Sequence, residues 1–405
     1  MKSNYKPIGK YIQRVEHRNR DLKVTRLLGL SMTKEFRETT SNIVGTDMSV
    51  YRVMSKYQFA CDFMSPIRVN KLPVVLKLDD EPNLVSPAYP VFEIKDRNEL
   101  DPEYLMMWFR RTEFDRYATF KCDAAIRGGY EWTELCETLI PVPSITKQKE
   151  IVKEYNVIQN RIDINQQLIQ KLKETAQAIY KQWFVEFEFP DENGKPYKSN
   201  GGKMVWDEDL QKEIPLGWQV KPFTEIVKLS GGGTPDTNNG EYWNGEIPFF
   251  TPADVVNSFY SIRTEKNVTE KGLKNSSTKL YPKDTVFVTA RGTVGAISIS
   301  GCEMTMNQSC YAITGKNGMN QYFTHQLTLS AIEKLKNEAV GAVFAALVTK
   351  DFDSQILIEP HKDSIKLFGS KIKPIYDYIL TVVTANQKLK ELKDLLLSKL
   401  ATVEN

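Results

Sequence analysis

A five-residue segment that occurs twice constrains this chain more than any other feature. Residues 170–174 read Gln-Lys-Leu-Lys-Glu, and the same five residues return at 387–391, 217 positions later. Around both copies, apolar residues recur in alternating steps of four and three, which is the spacing of an α-helix with one apolar stripe. The repeat predicts two similar halves, each with a mixed block of about 140 residues followed by a long helix.

The two apolar stripes predict the contact line, or seam, of a pair of helices. The expected seam positions are Ile151, Tyr155, Ile158, Ile162, Asn165, Ile169, Leu172 and Ile179 in the first helix, and Phe368, Ile372, Ile375, Ile379, Asn386, Leu389, Leu396 and Leu400 in the second. An antiparallel coiled coil within the chain is favoured, because the residues between the helices can carry the chain back. Pairing with helices of another protein is the alternative. The seam asparagines are expected to specify register, although a solvated polar position would look the same in sequence.

Proline and glycine mark the boundaries between the predicted segments. Pro141-Val142-Pro143 ends the first block, because proline donates no hydrogen bond to a strand and restrains the residue before it. The predicted segments are domain 1 at 1–143, a helix at 144–187, a polar Gly/Pro-rich connector at 188–214, domain 2 at 215–360 and a helix at 361–405. The predicted fold class is α+β: two mixed α/β domains joined by two long helices that form an antiparallel coiled coil, with a pseudo-twofold internal repeat.

Local patterns add detail inside these segments. Apolar runs predict strands at 74–76, 89–92, 285–289 and 296–299, and Asp101-Pro102 predicts the start of a helix over 103–111. Lys6-Pro7-Ile8 and Lys221-Pro222-Phe223 open the two blocks in the same way. Pro374 is expected to kink the second long helix or to delay its regular start.

Composition excludes several classes of protein. The apolar fraction is 41%, the mean hydropathy is −0.40, and no apolar run approaches the roughly 20 residues that span a bilayer. Five cysteines without a C-x-x-C pattern predict free thiols in a reducing compartment, and three scattered histidines leave little for a metal site. We therefore expect a soluble, cytoplasmic chain with no membrane segment.

Candidate catalytic patterns are weak throughout the sequence. The glycine-rich residues 230–235 lack the lysine of a phosphate-binding loop and predict a turn. One arrangement imitates a nuclease metal site, since Asp79 and Asp80 precede Glu93 and Lys95, and such carboxylates could hold Mg²⁺. In a chain that is 26% charged this spacing arises easily, and a solvated strand edge is the favoured interpretation. We predict no catalytic and no metal-binding residues.

Both blocks carry Arg, Lys, Asn, Gln and aromatic side chains in predicted turns. Arg and Lys contact phosphates, while Arg to guanine and Asn or Gln to adenine are the usual base-reading pairs. The candidates in the first block are Lys34, Arg37, Arg52, Lys56, Arg68, Arg110, Arg111, Arg116, Arg127 and Tyr130. The candidates in the second block are Thr234, Asn238, Asn239, Tyr242, Trp243, Arg291, Thr293, Asn307 and Gln308. A solvated surface charge is the alternative for each cation, and Trp243 would also fit a core position.

The centre of the chain resembles the region shared by specificity subunits of type I restriction-modification systems. The similar motifs are Pro141-x-Pro143 with Gln148 and Ile151, the helix end at 178–184, the segments 189–198, 201–206 and 214–218, and, in the second block, 233–235, 242–249, 291–295 and Asn307-Gln308. They cover 141–313 motif by motif. The first block matches only through residues 85–89 and its Pro-x-Pro exit, and Ile365 stands where the repeat places the counterpart of Gln148.

The resemblance implies that each mixed domain is a target-recognition domain, which reads one half of an asymmetric, bipartite site in double-stranded DNA. The two helices would set the spacing of the half-sites and dock two modification (methyltransferase) subunits. Those subunits would bring S-adenosylmethionine and flip the target adenine, and two restriction (motor-nuclease) subunits using ATP and Mg²⁺ would join for cleavage. No cofactor is expected in this chain. A helix of about 43 residues is a rod of roughly 60 Å, which limits the spacing to under two turns of DNA.

Two other functions are weighed against this one. A stand-alone Mg²⁺-dependent nuclease would use Asp80, Glu93 and Lys95, and its activity would be lost in Glu93→Ala. A coiled-coil scaffold with two protein-binding modules would show no salt-dependent affinity for duplex DNA.

Overall fold

The computed structural model describes residues 4–39, 45–123, 129–255, 259–338 and 346–403, and its elements are numbered in chain order. The chain divides into two compact units, unit 1 with residues 1–163 and 388–405, and unit 2 with residues 164–387. Helices and strands are mixed in both, which agrees with the predicted α+β class. Among the described helices, none has both the length and the apolarity needed to cross a membrane.

Unit 1 is built from short strands and four short helices beside parts of two long ones. Its strands are β1 Tyr5–Pro7, β2 Ile12–Val15, β3 Leu28–Leu30, β4 Phe36–Glu38, β5 Arg52–Met54, β6 Phe59–Cys61, β7 Val74–Leu76, β8 Asn83–Val85, β9 Val91–Ile94 and β10 Leu139–Pro141. Its short helices are α1 Pro66–Val69, α2 Pro102–Phe109, α3 Thr112–Asp123 and α4 Trp132–Glu137. The predicted strands at 74–76 and 89–92 are confirmed as β7 and, shifted by two residues, as β9.

The core of unit 1 lies between a four-stranded sheet and helix α2. The sheet has the order β2-β9-β6-β7, and Phe59 and Phe92 stack on neighbouring strands with ring centroids 4.9 Å apart. Helix α2 begins as predicted, since the Asp101 carboxylate accepts from the backbone N–H of Glu103 (2.9 Å) and Tyr104 (3.0 Å). Every residue of α2 except Glu103 is buried, so the helix is an interior element of this unit.

Unit 2 contains the larger sheets. Its strands are β11 Met204–Asp207, β12 Lys212–Pro215, β13 Gln219–Pro222, β14 Val227–Gly231, β15 Trp243–Phe250, β16 Tyr260–Ser261, β17 Lys266–Val268, β18 Val286–Thr289, β19 Ile297–Ser300, β20 Thr305–Met306, β21 Cys310–Gly315 and β22 Ile356–Glu359. Its short helices are α6 Phe223–Ile226, α7 Glu270–Lys274, α8 Gln321–Glu338 and α9 Thr349–Asp353. A five-stranded sheet has the order β14-β21-β18-β19-β16, and a three-stranded sheet has the order β17-β15-β20. The strands predicted at 285–289 and 296–299 are β18 and β19.

Both units close in the same way at the entry and exit of the mixed block. In unit 1, β1 pairs with β10, and the Ile8 N–H donates to the Thr138 carbonyl at 2.9 Å. In unit 2, β13 pairs with β22, and the Phe223 N–H donates to the Gln355 carbonyl at 2.8 Å. Thr138 and Gln355 are 217 positions apart, as are the two pentapeptides. The sequence repeat therefore extends to backbone hydrogen bonds at positions where the side chains of the two halves differ.

The structure explains why the second long helix has Ile365 where the repeat places the counterpart of Gln148. In unit 1 the fully buried Gln148 accepts from the Asp101 N–H (2.8 Å) and donates to the carbonyls of Glu99 (3.0 Å) and Pro143 (2.8 Å). In unit 2 the corresponding Ile365 is buried in the apolar core, and its carbonyl accepts from the Asn320 amide at 2.8 Å. The side-chain amide that links the start of the long helix to the mixed block therefore belongs to the helix in unit 1 (Gln148) and to the mixed block in unit 2 (Asn320).

Two long helices, α5 Ile145–Phe184 and α10 Lys362–Lys399, each contribute to both units. The α10 helix begins at Lys362 and contains Pro374, so the proline does not delay its start. Every one of the sixteen predicted seam residues is buried or half-buried. In unit 2 the buried Asn165 and Asn386 amides are hydrogen-bonded at 2.7 Å, and in unit 1 the Lys393 ammonium donates to Gln159 at 2.8 Å.

The predicted polar connector is more ordered than its composition indicates. Strands β11 and β12 form an antiparallel hairpin. The Phe189 ring stacks between Tyr197 (4.5 Å) and Trp218 (4.9 Å), and a side chain on Gly202 would collide with the Tyr197 ring. Phe189 and Tyr197 of the connector, together with Trp218 just after it, therefore form a small aromatic core that belongs to unit 2.

Candidate nucleic-acid interface

Five of the nine candidates of the second block lie on loops at one end of the five-stranded sheet. Strand β14 ends at Gly231 and β18 ends at Thr289, while β21 begins at Cys310. Because β14 and β18 both run antiparallel to β21, these three strand ends lie at the same edge of the sheet. Loops that leave this edge carry Thr234, Arg291, Thr293, Asn307 and Gln308.

Glycines allow the first loop to approach the last one closely. The Gly233 N–H donates to the Met306 carbonyl at 3.1 Å, and a Cβ on Gly232 would lie 2.0 Å from the Asn307 carbonyl oxygen. No side chain fits at that separation. The close approach places the Thr234 hydroxyl in a hydrogen bond with the exposed Gln308 amide.

The loop between β18 and β19 presents two exposed candidates beside this pair. The Arg291 N–H donates to the Ser309 carbonyl at 3.3 Å, which fixes the loop against the residues after Gln308. Gly292 and Gly295 have φ of +76° and +71°, a region that favours glycine, so the turn depends on both. The Arg291 and Thr293 side chains are exposed, and within the described residues Arg291 has no ion-pair partner.

The remaining second-block candidates form a turn that is partly occupied by its own contacts. The Trp243 indole donates to the Asp236 carbonyl at 3.0 Å and packs edge-on against Phe249, so it supports the turn. The Asn239 side chain accepts from the Glu241 N–H at 3.1 Å, whereas Asn238 is exposed. Tyr242 is half-buried.

Two candidates of the first block are buried and are not available to DNA in this structure. Lys34 is 5% exposed, and its ammonium lies 2.8 Å from the Asp115 carboxylate and donates to the Phe109 carbonyl. Burial lowers the pKa of Lys34, and Asp115 opposes that shift. Tyr130 is 3% exposed, with its hydroxyl 3.3 Å from that of Thr138, and burial raises its pKa. This corrects the sequence-based assignment of both residues to a DNA-contacting surface.

Most other first-block cations already have partners. Arg52 pairs with Glu16 at 2.6 Å and Lys56 with Asp80 at 3.0 Å, so each charge is at least partly neutralised. Arg110 donates to the Tyr155 hydroxyl (3.0 Å), Arg111 is buried over the Trp108 ring (4.3 Å), and Arg116 lies 3.6 Å from Glu113. Arg37 and Arg68 are exposed. Arg127 lies outside the described residues.

Known proteins with similar sequences share one description. The family model for the "Type I restriction modification DNA specificity domain" matches residues 215–393. The specificity subunit of the type I restriction enzyme HindI of Haemophilus influenzae is 25% identical over 375 residues, covering 79% of this chain and 81% of that protein. The MjaIX specificity subunit of Methanocaldococcus jannaschii is 35% identical over 153 residues, which are 36% of this chain and 35% of that subunit. This chain is similar to specificity subunits of type I restriction-modification systems.

A solved member of the specificity-subunit family has a similar fold. The crystal structure of the type I restriction-modification S subunit from M. genitalium superposes with a TM-score of 0.53 at 14% identity, covering 99% of this chain and 96% of that one. The matched segment spans about a third of the MjaIX subunit but most of the HindI subunit. The similarity to specificity subunits thus rests on sequence, and the structural likeness supports the fold.

The residues of the nuclease alternative do not form a site in this structure. Asp80 pairs with Lys56, and the two Glu93 oxygens accept from Gln13 (2.9 Å) and Gln58 (3.0 Å). The Lys95 ammonium donates to two backbone carbonyls, at 3.2 and 3.1 Å. Across the part of the chain that the structure describes, no three acidic, histidine or cysteine side chains are grouped as metal ligands.

A cleft next to the candidate interface brings together polar residues that the sequence interpretation did not single out. This cavity of about 560 Å³ in unit 2 runs beside Thr293 and is lined by amide, ammonium and imidazole groups. Gln170 and Lys173 of the first pentapeptide belong to its wall, with the buried His325, whose pKa burial lowers to about 3. The Tyr376 hydroxyl lies 2.6 Å from His325 Nδ1. Gln170 and Lys173 could have been recognised in the sequence, because they are three residues apart on a helix face outside the predicted seam.

Proposed function

We propose that this chain is the sequence-specific DNA-binding subunit of a type I restriction-modification complex, which reads a bipartite site and directs adenine methylation and cleavage by partner subunits. The observation that carries the proposal is the convergence of Thr234, Arg291, Asn307 and Gln308 at one sheet edge, within the segment 215–393 that matches the DNA specificity domain. The chain itself is not the catalyst, since methyl transfer and cleavage belong to the partners.

The second domain reads its half-site through exposed side chains on this sheet edge. Arg291 projects a guanidinium without a protein partner among the described residues, which suits the two acceptors of guanine in the major groove. Gln308 carries an amide of the kind that pairs with adenine, and its hydrogen bond to Thr234 holds it in position. Asn238 and Thr293 complete the exposed polar set. In the first domain Arg37 and Arg68 are the proposed contacts.

The two long helices pair as an antiparallel coiled coil that sets the spacing between the half-sites. Two contacts support this pairing, because residues near the middle of α5 meet residues of α10 in the reverse order. Asn165 contacts Asn386 in unit 2, whereas Gln159, six residues earlier, contacts Lys393, seven residues later, in unit 1. A rigid helical pair keeps a fixed length, so it fixes the number of unspecified base pairs.

The outer surface of the same helices docks two modification subunits, which supply S-adenosylmethionine and the adenine pocket, and the restriction subunits supply ATP- and Mg²⁺-dependent cleavage. Exposed apolar side chains away from the seam support a docking surface on the helices, since such residues mark binding faces when they cluster. They are Val157 and Ile164 on α5, and Leu367, Tyr378, Leu392 and Leu395 on α10. Val157 and Ile164 lie one heptad apart, and Tyr378 and Leu392 lie two heptads apart.

A reconstitution experiment tests the proposed function. The purified chain alone is expected neither to methylate nor to cut DNA. The chain mixed with its methyltransferase partner is expected to methylate adenine at a defined sequence. Binding to duplex DNA should weaken steeply with salt, because phosphate contacts release counterions. Mg²⁺-dependent cutting by the chain alone, abolished in Glu93→Ala, would establish the nuclease instead. Salt-independent or absent DNA affinity in the complex would favour the scaffold.

A substitution at Arg291 separates base reading from phosphate contact. Arg291→Ala should relax the sequence requirement at one position of the half-site read by the second domain, costing about 1–3 kcal/mol of discrimination. Arg291→Lys is the matched control, because it keeps the charge and loses the planar fork that pairs with guanine. If Arg291→Lys restores full specificity, or if Arg291→Ala weakens all sequences equally, Arg291 is a phosphate contact. Methylation of a randomised half-site library is the measurement.

A further inference from the structure

The two helices place their seam asparagines at different positions of the internal repeat. The 217-residue offset superposes Asn165 on Val382, and it superposes Ile169 on Asn386. Each helix therefore carries one seam asparagine, but the asparagine in α10 stands four residues later in the repeat than the one in α5. The α10 seam also contains Lys393, where α5 has Ala176. The other seam positions next to the asparagines are apolar in both copies, including Ile162 with Ile379 and Leu172 with Leu389.

This offset is what allows the two asparagines to meet. Asn165 and Asn386 are 4% and 7% exposed, and the Asn165 amide donates to the Asn386 carbonyl oxygen at 2.7 Å. In the antiparallel pairing proposed above, four residues forward on α5 correspond to four residues back on α10. Ile169 is thereby placed opposite Val382, a half-buried and a buried residue respectively. The proposed pairing therefore sets one polar pair beside one apolar pair in unit 2.

Pairing of like helices from two copies would lose this match. The repeat superposes α5 on α10, so a second α5 could occupy the place of α10, with its own Ile169 where Asn386 stands. Asn165 of each copy would then face an isoleucine, and the seam would contain two amides without partners. If two α10 helices from two copies paired in the same way, each Asn386 would face Val382 of the other copy. A buried amide without a hydrogen-bond partner is costly, whereas a paired one is tolerated.

We infer that the Asn165–Asn386 pair selects pairing of α5 with α10 over pairing of like helices from two chains. A polar seam residue is known to fix partner and register in coiled coils at some cost in stability. In a chain with an internal repeat this choice is needed, because the apolar positions alone fit either arrangement. The consequence is asymmetry: unlike helices keep one copy of each domain together, so the complex reads two different half-sites. The inference rests on the antiparallel pairing proposed above.

The experiment co-expresses two full-length copies with different affinity tags and measures how much of one copy purifies with the other. Asn165→Ile combined with Asn386→Val replaces both asparagines by apolar residues and so removes their preference for unlike pairing, while the Lys393–Gln159 contact is unchanged. We expect this double variant to show about tenfold more co-purification than the unchanged chain. A four-residue variant, Asn165→Ile, Ile169→Asn, Val382→Asn and Asn386→Val, moves the asparagine pair to its symmetry-related position and should return co-purification to the original level.

Thermal unfolding provides a second readout within one chain. Asn386→Ile alone creates the Asn–Ile contact that a like-helix pair would contain, so its Tm should fall below that of the double variant. The inference is overturned if the double variant co-purifies no more than the unchanged chain, or if the relocated pair behaves like the double variant. Equal Tm values for Asn386→Ile and the double variant would also overturn it. Methylation by the monomeric fraction of each variant tests the proposed function separately, because that function does not require the asparagines.

Discussion

Replacement of residues 1–143 by the corresponding domain of a type I specificity subunit is expected to change every base requirement in one half of the methylated site. The other half and the spacer should stay the same. The physical reason is that unit 1 has its own core, built on a four-stranded sheet and α2, while the candidate readers of the second half-site lie on the sheet edge of unit 2. Exchange at 143, directly before α5, leaves the seam residues unchanged.

Sequencing of methylated DNA from cells that express the hybrid with its partners gives the result. The matched control replaces residues 215–360, and it should change only the opposite half. A hybrid that alters both halves together, or one that alters the spacer, would contradict independent reading by two domains. The prediction also distinguishes a specificity subunit from a scaffold, because a scaffold hybrid leaves the methylated sequence unchanged.

Truncation of Phe368 is expected to cost about 3–5 kcal/mol of folding free energy, the largest single effect on stability that we predict. Phe368 is fully buried on α10 and lies in an aromatic cluster of unit 2. Its ring centroid lies 5.1 Å from that of Phe184, 5.8 Å from Trp183, 6.1 Å from Tyr180 and 6.2 Å from Phe323. Phe368→Ala removes one ring from this close-packed group and leaves a cavity.

The neighbouring Leu367 supplies the matched control. Leu367 is 46% exposed on the same turn of α10, so Leu367→Ala should change the free energy of unfolding by less than about 1 kcal/mol. Denaturant unfolding of both variants, followed by tryptophan fluorescence, measures the difference, and Trp183 reports directly on the cluster. Equal stability losses in the two variants would show that the aromatic cluster does not hold α10 in unit 2.

The helices were predictable from sequence because their pattern is periodic and repeated. The predicted seam residues are all buried or half-buried, and the predicted helix bounds of 144–187 and 361–405 differ from those of α5 and α10 by one to six residues. The repeat offset also relates backbone contacts that no residue match predicted, such as those of Thr138 and Gln355. Periodicity works for these elements because one apolar face decides the position of every residue along a helix.

The domains were less predictable because burial of a single polar residue depends on contacts distant in sequence. The residues next to Lys34 in the sequence do not indicate that its ammonium is buried and donates to Asp115, which lies 81 residues later. Thr234 can approach Gln308 because Gly232 and Gly233 have no side chains. In the sequence, the same glycines predicted only a turn. The connector shows the same limit, since a Gly/Pro-rich segment gains order through the stacking of Phe189 on Tyr197 and Trp218.

The most direct test of the central claim is a map of adenine methylation in cells that carry the partner methyltransferase with and without this chain. With the chain present, methylation is expected at one bipartite motif, with two short specified halves separated by a constant number of unspecified base pairs. Without the chain, that motif should be unmethylated. Methylation of the same motif at the same level in both cells would contradict the conclusion that this chain reads the DNA sequence.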